Sequence, residues 1–490
     1  MKILSTEKGD IMTEKKSNKD KKKEMENLAK KLTMNQEPIW KDSKNRKNIL
    51  KLADSYKKFL SISKTEREVV KNIEKEAVKR GFIRLKDADN IVPGMKIYDV
   101  NRGKNIILAV IGKKPMLEGI NIVASHCDSP RIDIKQNPLY QDDDSALALF
   151  KTHYYGGLKK YQWVNIPTAL HGTVVRKDGK KVDIIYGEKE DESKIIIPDL
   201  LPHLSRRAQD SRKIVEGIKG EEMNAIVGSI PLEDVDENSI KVNVLKILNK
   251  KYGISEEDFI SAELELVPAG SPVDIGFDGG LIGAYGQDDR ICVFTSMEAI
   301  FDIETPDKTA VTVFVEKEEI GSEGNTGMKS RFMEHFLMKV LAKSGSNNTA
   351  VDIAELFDNS QALSADVNGA VNPSFKSVHD IQNAAKLGFG INITKFTGSG
   401  GKYHSSDASA EFVGKIKNIF NKENIKWQYA SLGKVDEGGG GTIAMYMASY
   451  NMDVLDCGPA LISMHSPLEI SSKADLYESK MAYKAFFEHA

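Results

Sequence analysis

Apolar residues recur at helical spacing through the segment from Trp40 to Arg80. Ile49, Leu52, Tyr56, Phe59 and Leu60 fall at i, i+3 and i+4 intervals. A second helix is predicted from Thr65 to Arg80, with Thr65 as its N-cap and Gly81 just beyond its end. Short apolar runs at Lys96–Val100, Asn105–Ile111 and Ile120–Ser125 then read as strands. The last runs into Ser125-His126-Cys127-Asp128-Ser129-Pro130. From about Ile132 to Val267 short alternating segments predominate, such as Gly172–Val175 and Val182–Tyr186, joined by a Lys-Asp-Gly-Lys turn. Some helix is expected there near Asn238–Lys250. After Pro272 strand and helix alternate again. Helices are predicted at Ile291–Phe301, Met328–Ala342 and Ser472–His489, and strands at Ala310–Val315, Gln361–Asp366, Asp453–Leu455 and Ala460–Met464.

Alternating strands and helices imply an α/β fold, here with a mixed central sheet flanked by helices and interrupted by a β-rich insert. In open α/β sheets, sites form beyond the carboxyl ends of the strands. The glycine runs Gly398–Gly401 and Gly438–Gly441 read as active-site loops that let backbone approach a substrate, and no phosphate-loop pattern accompanies them.

With 490 residues, 40% of them hydrophobic, the chain can build a sizeable core. A net charge of -2 gives no global attraction to nucleic acid or membrane. The lysine-rich stretch Lys15–Lys23 lacks aromatic stacking partners and reads as a solvated leader or frayed helix. Three cysteines, Cys127, Cys292 and Cys457, form no paired framework, so a reducing, cytoplasmic setting is expected. No apolar run is long enough for a membrane span, and the N-terminus lacks a signal-peptide pattern.

The chemistry gathers at strand ends. Glu318 and Glu319 follow the strand Ala310–Val315. Adjacent carboxylates repel unless a cation lies near them, and one can ligate a metal while its neighbour serves as general base. A bare Glu-Glu pair otherwise means a solvated loop. His126 and Asp128 follow another strand, with His126 suited to ligate and Asp128 to orient. Gln287-Asp288-Asp289-Arg290 precedes a helix, where one aspartate reads as a cap and the other as a bridge between metals. Asp366 and His465 end two further strands. Two histidines and three carboxylates, one of them shared, suit a pair of zinc ions, with manganese or cobalt as alternatives, and a water or hydroxide shared between the ions. A lone His335 or His379 reads as an ordinary surface or core residue.

These segments, with Thr152–Gly157, Tyr161–Trp163, Ile197–Leu204, Gly286–Arg290, Glu318–Ser322, Gly438–Gly441 and Met464–Ser466, resemble the aspartyl aminopeptidase/aminopeptidase I family of dinuclear zinc exopeptidases from about residue 80 to the C-terminus. A charged leader (1–35) lies outside the match, and the resemblance implies a metallopeptidase domain (36–131 and 269–490) and a β-rich oligomerisation domain (132–268). It implies metal ligands His126, Asp288, Glu319, Asp366 and His465. Asp288 would bridge, and the other four would divide between two zinc ions in an order left open. It also implies Glu318 as general base, Asp128 as the residue steering a neighbouring side chain, and release of single residues from peptides with a free N-terminus. Homo-oligomers, as tetrahedral dodecamers, are expected. His203 in the insert is expected to reach a neighbouring subunit's site and stabilise the tetrahedral intermediate, with His171 the weaker alternative. Lys395 and Lys402 could pair with an acidic substrate side chain or be surface lysines. His404 has no matched role. Cys127 reads as an inert buried thiol. Two rivals stand beside this reading: a dinuclear hydrolase of another amide, and a non-enzymatic cage.

Overall fold

The computed structural model describes residues 18–41, 43–346 and 349–490. The leader expectation for residues 1–17 lies outside them, and Asn18–Leu32 is an exposed helix. The predicted helical region resolves into Arg46–Ile62 and Glu66–Lys79. Thr65 caps the second helix in a reciprocal box with Glu68, which satisfies otherwise unpaired N–H groups of its first turn.

A nine-stranded mixed sheet forms the centre. Its order is Ile83–Arg84, Lys96–Asn101, Asn105–Val110, Ala310–Val315, Asn121–His126, Gln361–Ser364, Asp453–Gly458, Ile391–Thr394 and Trp427–Tyr429. Asn105–Val110, Asn121–His126 and Ala310–Val315 are buried at every position, as strands covered on both faces must be. One face packs against the helices Arg46–Ile62, Gln287–Phe301 and Lys473–His489 through residues such as Tyr56, Phe294 and Phe486. The other packs against Phe332–Lys343 and Ala350–Asp358 through Phe336, Leu337 and Leu356.

Residues between the two halves of this sheet build a separate antiparallel sheet of six strands. Its order is Lys181–Tyr186, Thr168–Val175, Ala262–Pro268, Arg131–Asp142, Leu147–Tyr155 and Ala225–Gly228, and it has its own core of Phe150, Trp163, Leu170 and Phe259. The helix Ser239–Tyr252 covers it through Ile240, Val244 and Leu248. A third sheet joins Val273–Ile275, Leu281–Ala284, Glu469–Ser472, Ala460–Ile462 and Asn368–Gly369.

Several boundaries differ from the sequence pattern. The helix expected from Met328 starts at Phe332, after a turn in which Ser330 N–H donates to Gly327 O. The strand expected through Asp366 ends at Ser364, and the one expected through Met464 ends at Ile462. Ser463 and His465 then take left-handed backbone conformations (φ +61° and +64°), which no strand accommodates. The structure adds the helix Ala410–Lys422 and the strands at 391–394, 427–429 and 469–472 to the elements that the sequence pattern predicts.

His171 sits where the inserted sheet meets the helix Glu66–Lys79. Its Nδ1 lies 2.8 Å from Glu68 Oε1 and its Nε2 2.9 Å from Glu188 Oε1, and Lys64 Nζ reaches Glu188 at 2.6 Å. The alternative active-site role for His171 is therefore corrected: it is an internal ion-pair residue. Burial disfavours its charge, but the bonds to Glu188 and Glu68 outweigh that and raise its pKa. A raised histidine contributes stability that is complete below its ordinary pKa and fades as pH rises through the folded value. His171→Ala is expected to cost about 1.5–3 kcal/mol at pH 6, as for hydrogen bonds to charged groups. Denaturant unfolding from pH 6 to 9 should show the gap to wild type narrowing as pH rises.

Candidate metal centre

Three parallel neighbours of the central sheet deliver their carboxyl ends to one edge. Val315 pairs in register with His126, and Ser364 with Ala124. His126 therefore lies beside the turn carrying Glu318 and Glu319, and Asp366 lies two residues past its own strand. The third sheet brings the remaining pair. Strand Leu281–Ala284 leads to Asp288, and the turn before Glu469–Ser472 carries His465.

These side chains converge. His126 Nε2 lies 3.2 Å from Asp288 Oδ1 and 3.9 Å from Asp366 Oδ1. His465 Nε2 lies 3.2 Å from Asp288 Oδ2 and 3.4 Å from Glu319 Oε1. Asp288 thus offers one oxygen to each histidine. His126, Asp288 and Glu319 form one candidate metal-binding group, and His126, Asp289 and Asp366 another. Asp288 Oδ1, Asp289 Oδ1 and Glu319 Oε1 are buried without a hydrogen-bond partner. An unpaired buried carboxylate oxygen is costly, and a cation supplies what is missing. Two ligand atoms each about 2.0–2.1 Å from one tetrahedral zinc lie roughly 3.3 Å apart, so the donor set and its spacings fit zinc.

Neither aspartate at 288–289 acts as a simple helix cap. Gly286 occupies the N-cap, both aspartates have non-helical backbone angles, and Asp289 Oδ2 accepts from His126 N–H at 3.4 Å. The expectation of a capping aspartate is thus corrected, because the helix proper starts after them.

The surrounding bonds fix the groups. Asp128 accepts N–H bonds from Glu318 at 3.2 Å and Glu319 at 3.3 Å, and an O–H bond from Tyr155 at 2.9 Å. Burial raises the pKa of Asp128, yet hydrogen bonding and charge attraction from His126 outweigh it and hold the carboxyl below the usual range. Glu469, which no sequence motif marks, accepts from His465 N–H at 2.7 Å and Asp288 N–H at 3.0 Å. One buried carboxylate thereby ties together two segments remote in sequence.

The electrostatics reflect crowded negative charge. Burial, reinforced by Asp288, raises Glu319 well above the carboxylate range. Burial also pushes Glu318 up to about 7, with Asp128 and Asp288 adding to the rise against His126. Burial opposes charge on His465, but Asp288 and Glu319 push it up to about 11.

A cavity of about 480 Å³ opens over the centre, walled by Phe396, Leu432, Val435 and both glycine runs. A second, of about 310 Å³, lies on the Tyr446 and Met445 side, and Glu318, Glu319 and His465 line both. The glycine runs pair with each other, Gly398 with Gly440 and Ser399 with Gly439. A Cβ on Gly439 (φ +130°) would lie 2.2 Å from Gly398 O, so this ladder requires glycine. Lys395 and Lys402 both bind Asp407, at 2.6 and 2.8 Å, and His404 lines the smaller cavity. Cys127 is buried, with its thiol pKa raised by burial. His203 is exposed on the short helix Pro202–Ala208 and lines neither cavity. Within one chain it is not brought to the centre. Among the described residues no helix is long and apolar enough to cross a membrane.

Known proteins resemble this chain in sequence and fold. The "Probable M18 family aminopeptidase 1" of Borreliella burgdorferi is 50% identical over 453 residues, spanning 92% of this chain and 98% of its own. The crystal structure of an M18-family aminopeptidase from Thermotoga maritima superposes with a TM-score of 0.90 at 46% identity, over 94% of this chain and 100% of that one. The S. cerevisiae mApe1 dodecamer structure, at 21% identity and TM-score 0.73 over 90% of this chain and 97% of that one, shares the fold. The sequence model of the aminopeptidase I zinc metalloproteases matches residues 59–487, and the chain belongs to that family, M18.

Proposed function

We propose that this M18 aminopeptidase removes the N-terminal residue from peptides at a two-zinc centre. The observation that carries the reading is Asp288, whose two oxygens lie 3.2 Å from His126 Nε2 and 3.2 Å from His465 Nε2. That symmetry supports a bridging role and a division of the remaining ligands, His126 with Asp366 and His465 with Glu319. When bound at these residues, the zinc pair would supply Lewis acidity, polarising the scissile carbonyl and acidifying the attacking water.

Glu318 is the general base. Its backbone is anchored by Asp128, its side chain faces both cavities, and among the described residues it makes none of the short imidazole contacts that occupy Glu319. It takes a proton from the water as the water oxygen bonds to the carbonyl carbon, and returns it to nitrogen as the C–N bond breaks. Asp128 orients His126 through contacts to Nδ1. The surplus of carboxylates suits a substrate's α-ammonium group, which favours exopeptidase action.

The chain acts as a homo-oligomer, with the dodecamer of its S. cerevisiae fold relative as the pattern and the inserted sheet (132–268) as the oligomerisation domain. Around His203 the residues Leu200, Leu201, Leu204, Ile214 and Val215 are all exposed, an apolar surface suited to cover by a second copy. His203 then enters a neighbouring subunit's site.

Chelator treatment is expected to abolish release of N-terminal residues from a peptide panel, and zinc to restore it; chelator-resistant release would sink the reading. Glu318→Gln should keep its zinc and lose about 10²–10⁴-fold in kcat. Glu319→Gln should also bind zinc more weakly, by metal titration. His203→Ala should lose about 10²–10³-fold in kcat, comparable to removal of one oxyanion donor, with zinc content unchanged. Co-expressing His203→Ala with Glu318→Gln subunits should recover part of the activity. No recovery would rule out action across subunits.

A further inference from the structure

A metal-binding imidazole needs its outer nitrogen held, because that bond sets the tautomer and the ring's direction. Both outer nitrogens here are governed from one place. The strand Leu147–Tyr155 belongs to the inserted sheet, and its end runs into Gly156 and Gly157 beside the centre. Tyr155 O–H donates to Asp128 Oδ2 at 2.9 Å, and Asp128 faces His126 Nδ1 through its carbonyl at 3.1 Å and Oδ1 at 3.4 Å. Two residues on, Gly157 O lies 2.8 Å from His465 Nδ1. Gly156 makes the close turn between them. Its φ is +76°, and a Cβ there would lie 3.3 Å from Glu319 Cβ and 3.4 Å from Pro130 Cγ.

The corner is anchored on its other side. The Arg131 guanidinium stacks 3.9 Å from the Tyr155 ring centroid. Arg131 Nε reaches Asp133 at 2.8 Å and Glu265 at 3.2 Å, both on strands of the inserted sheet. Arg131 Nη1 reaches Glu66, at the start of the helix Glu66–Lys79, at 3.6 Å. The corner is thus held by the inserted sheet and by the main body together.

We propose that the Tyr155–Gly157 corner of the insert positions both metal-facing histidines, Tyr155 acting through Asp128 on His126 and Gly157 acting directly on His465. The proposal rests on the two-zinc reading above. It makes Tyr155 a positioning residue, and it makes zinc affinity depend on the placement of the inserted sheet.

Tyr155→Phe removes one hydroxyl and keeps the ring against Arg131. Zinc affinity, measured by competition with a chromogenic chelator, is expected to fall about tenfold, the lower end for loss of an outer hydrogen bond to a metal ligand. The visible absorption of the cobalt-loaded protein should change, and excess zinc should restore most of kcat with KM unmoved. Because Tyr155 acts through Asp128, adding Tyr155→Phe to Asp128→Asn should cost no further zinc affinity. A zinc-binding wild type matched by Tyr155→Phe overturns the proposal alone, as do losses that multiply in the double variant. A wild type that takes up no zinc overturns the metal reading and the proposal with it.

Discussion

Six carboxylates, those of Asp128, Asp288, Asp289, Glu318, Glu319 and Asp366, crowd one edge of the central sheet, where the imidazoles of His126 and His465 meet them. Taking a charge out of water costs several kcal/mol per ion even after relaxation, and like charges at this spacing repel besides. The cluster persists only where positive charge is supplied. Burial raises Glu319 and Asp366 above the usual carboxylate range, and neighbouring carboxylates raise both histidines against their own burial. A divalent cation would offset this negative charge, and the donor spacings fit zinc. Much of the surrounding structure keeps these charges from relaxing apart. Asp128 captures two backbone amides of the glutamate turn, and Glu469 captures those of Asp288 and His465.

The architecture explains why only this edge can hold such a group. Parallel strands end together, so three neighbours release His126, the glutamate pair and Asp366 within one short arc. A single sheet would leave the arc open on one side. The small third sheet closes it by pairing Leu281–Ala284 with Glu469–Ser472, which places Asp288 against His465 although 177 residue numbers separate them. The left-handed turn at Ser463 and His465 is held by the bond from His465 N–H to Glu469.

Strand-end chemistry was the legible part. Apolar runs ending in His126, in Glu318-Glu319 and near Asp366 announce both the strand and its site, since a buried strand must stop where charge begins. His465 was legible for the same reason, although its strand ends three residues earlier. Partners that act through backbone were not legible. Glu469 looks like any acidic residue at a strand start, and its work is to accept two amide hydrogens from distant segments. Tyr155 reads as one more apolar position in an alternating strand. The glycine runs announced close backbone approach, but nothing local says that they approach each other. One aspartate of the Asp288-Asp289 pair reads as a cap because position at a helix start carries that meaning on average. His171 and His203 come from the same insert, and the fold separates an internal ion pair from an exposed side chain.

The insert's placement carries a mechanical consequence. Its first strand begins at Arg131, five residues after His126, and its last ends at Pro268, twenty before Asp288. The chain therefore enters this sheet five residues past His126 and returns from it through two strands of the third sheet to Asp288. Buried charge stiffens the junction: Lys104 reaches Glu66, Glu263 and Glu316, and Arg131 reaches Glu66 and Glu265. These pairs link the inserted sheet to the strand that precedes the glutamate pair. A junction held by partially compensated buried ions has few alternative arrangements, because any shift leaves a charge uncovered. Contacts that settle the inserted sheet accordingly bear on the geometry at His126 and His465.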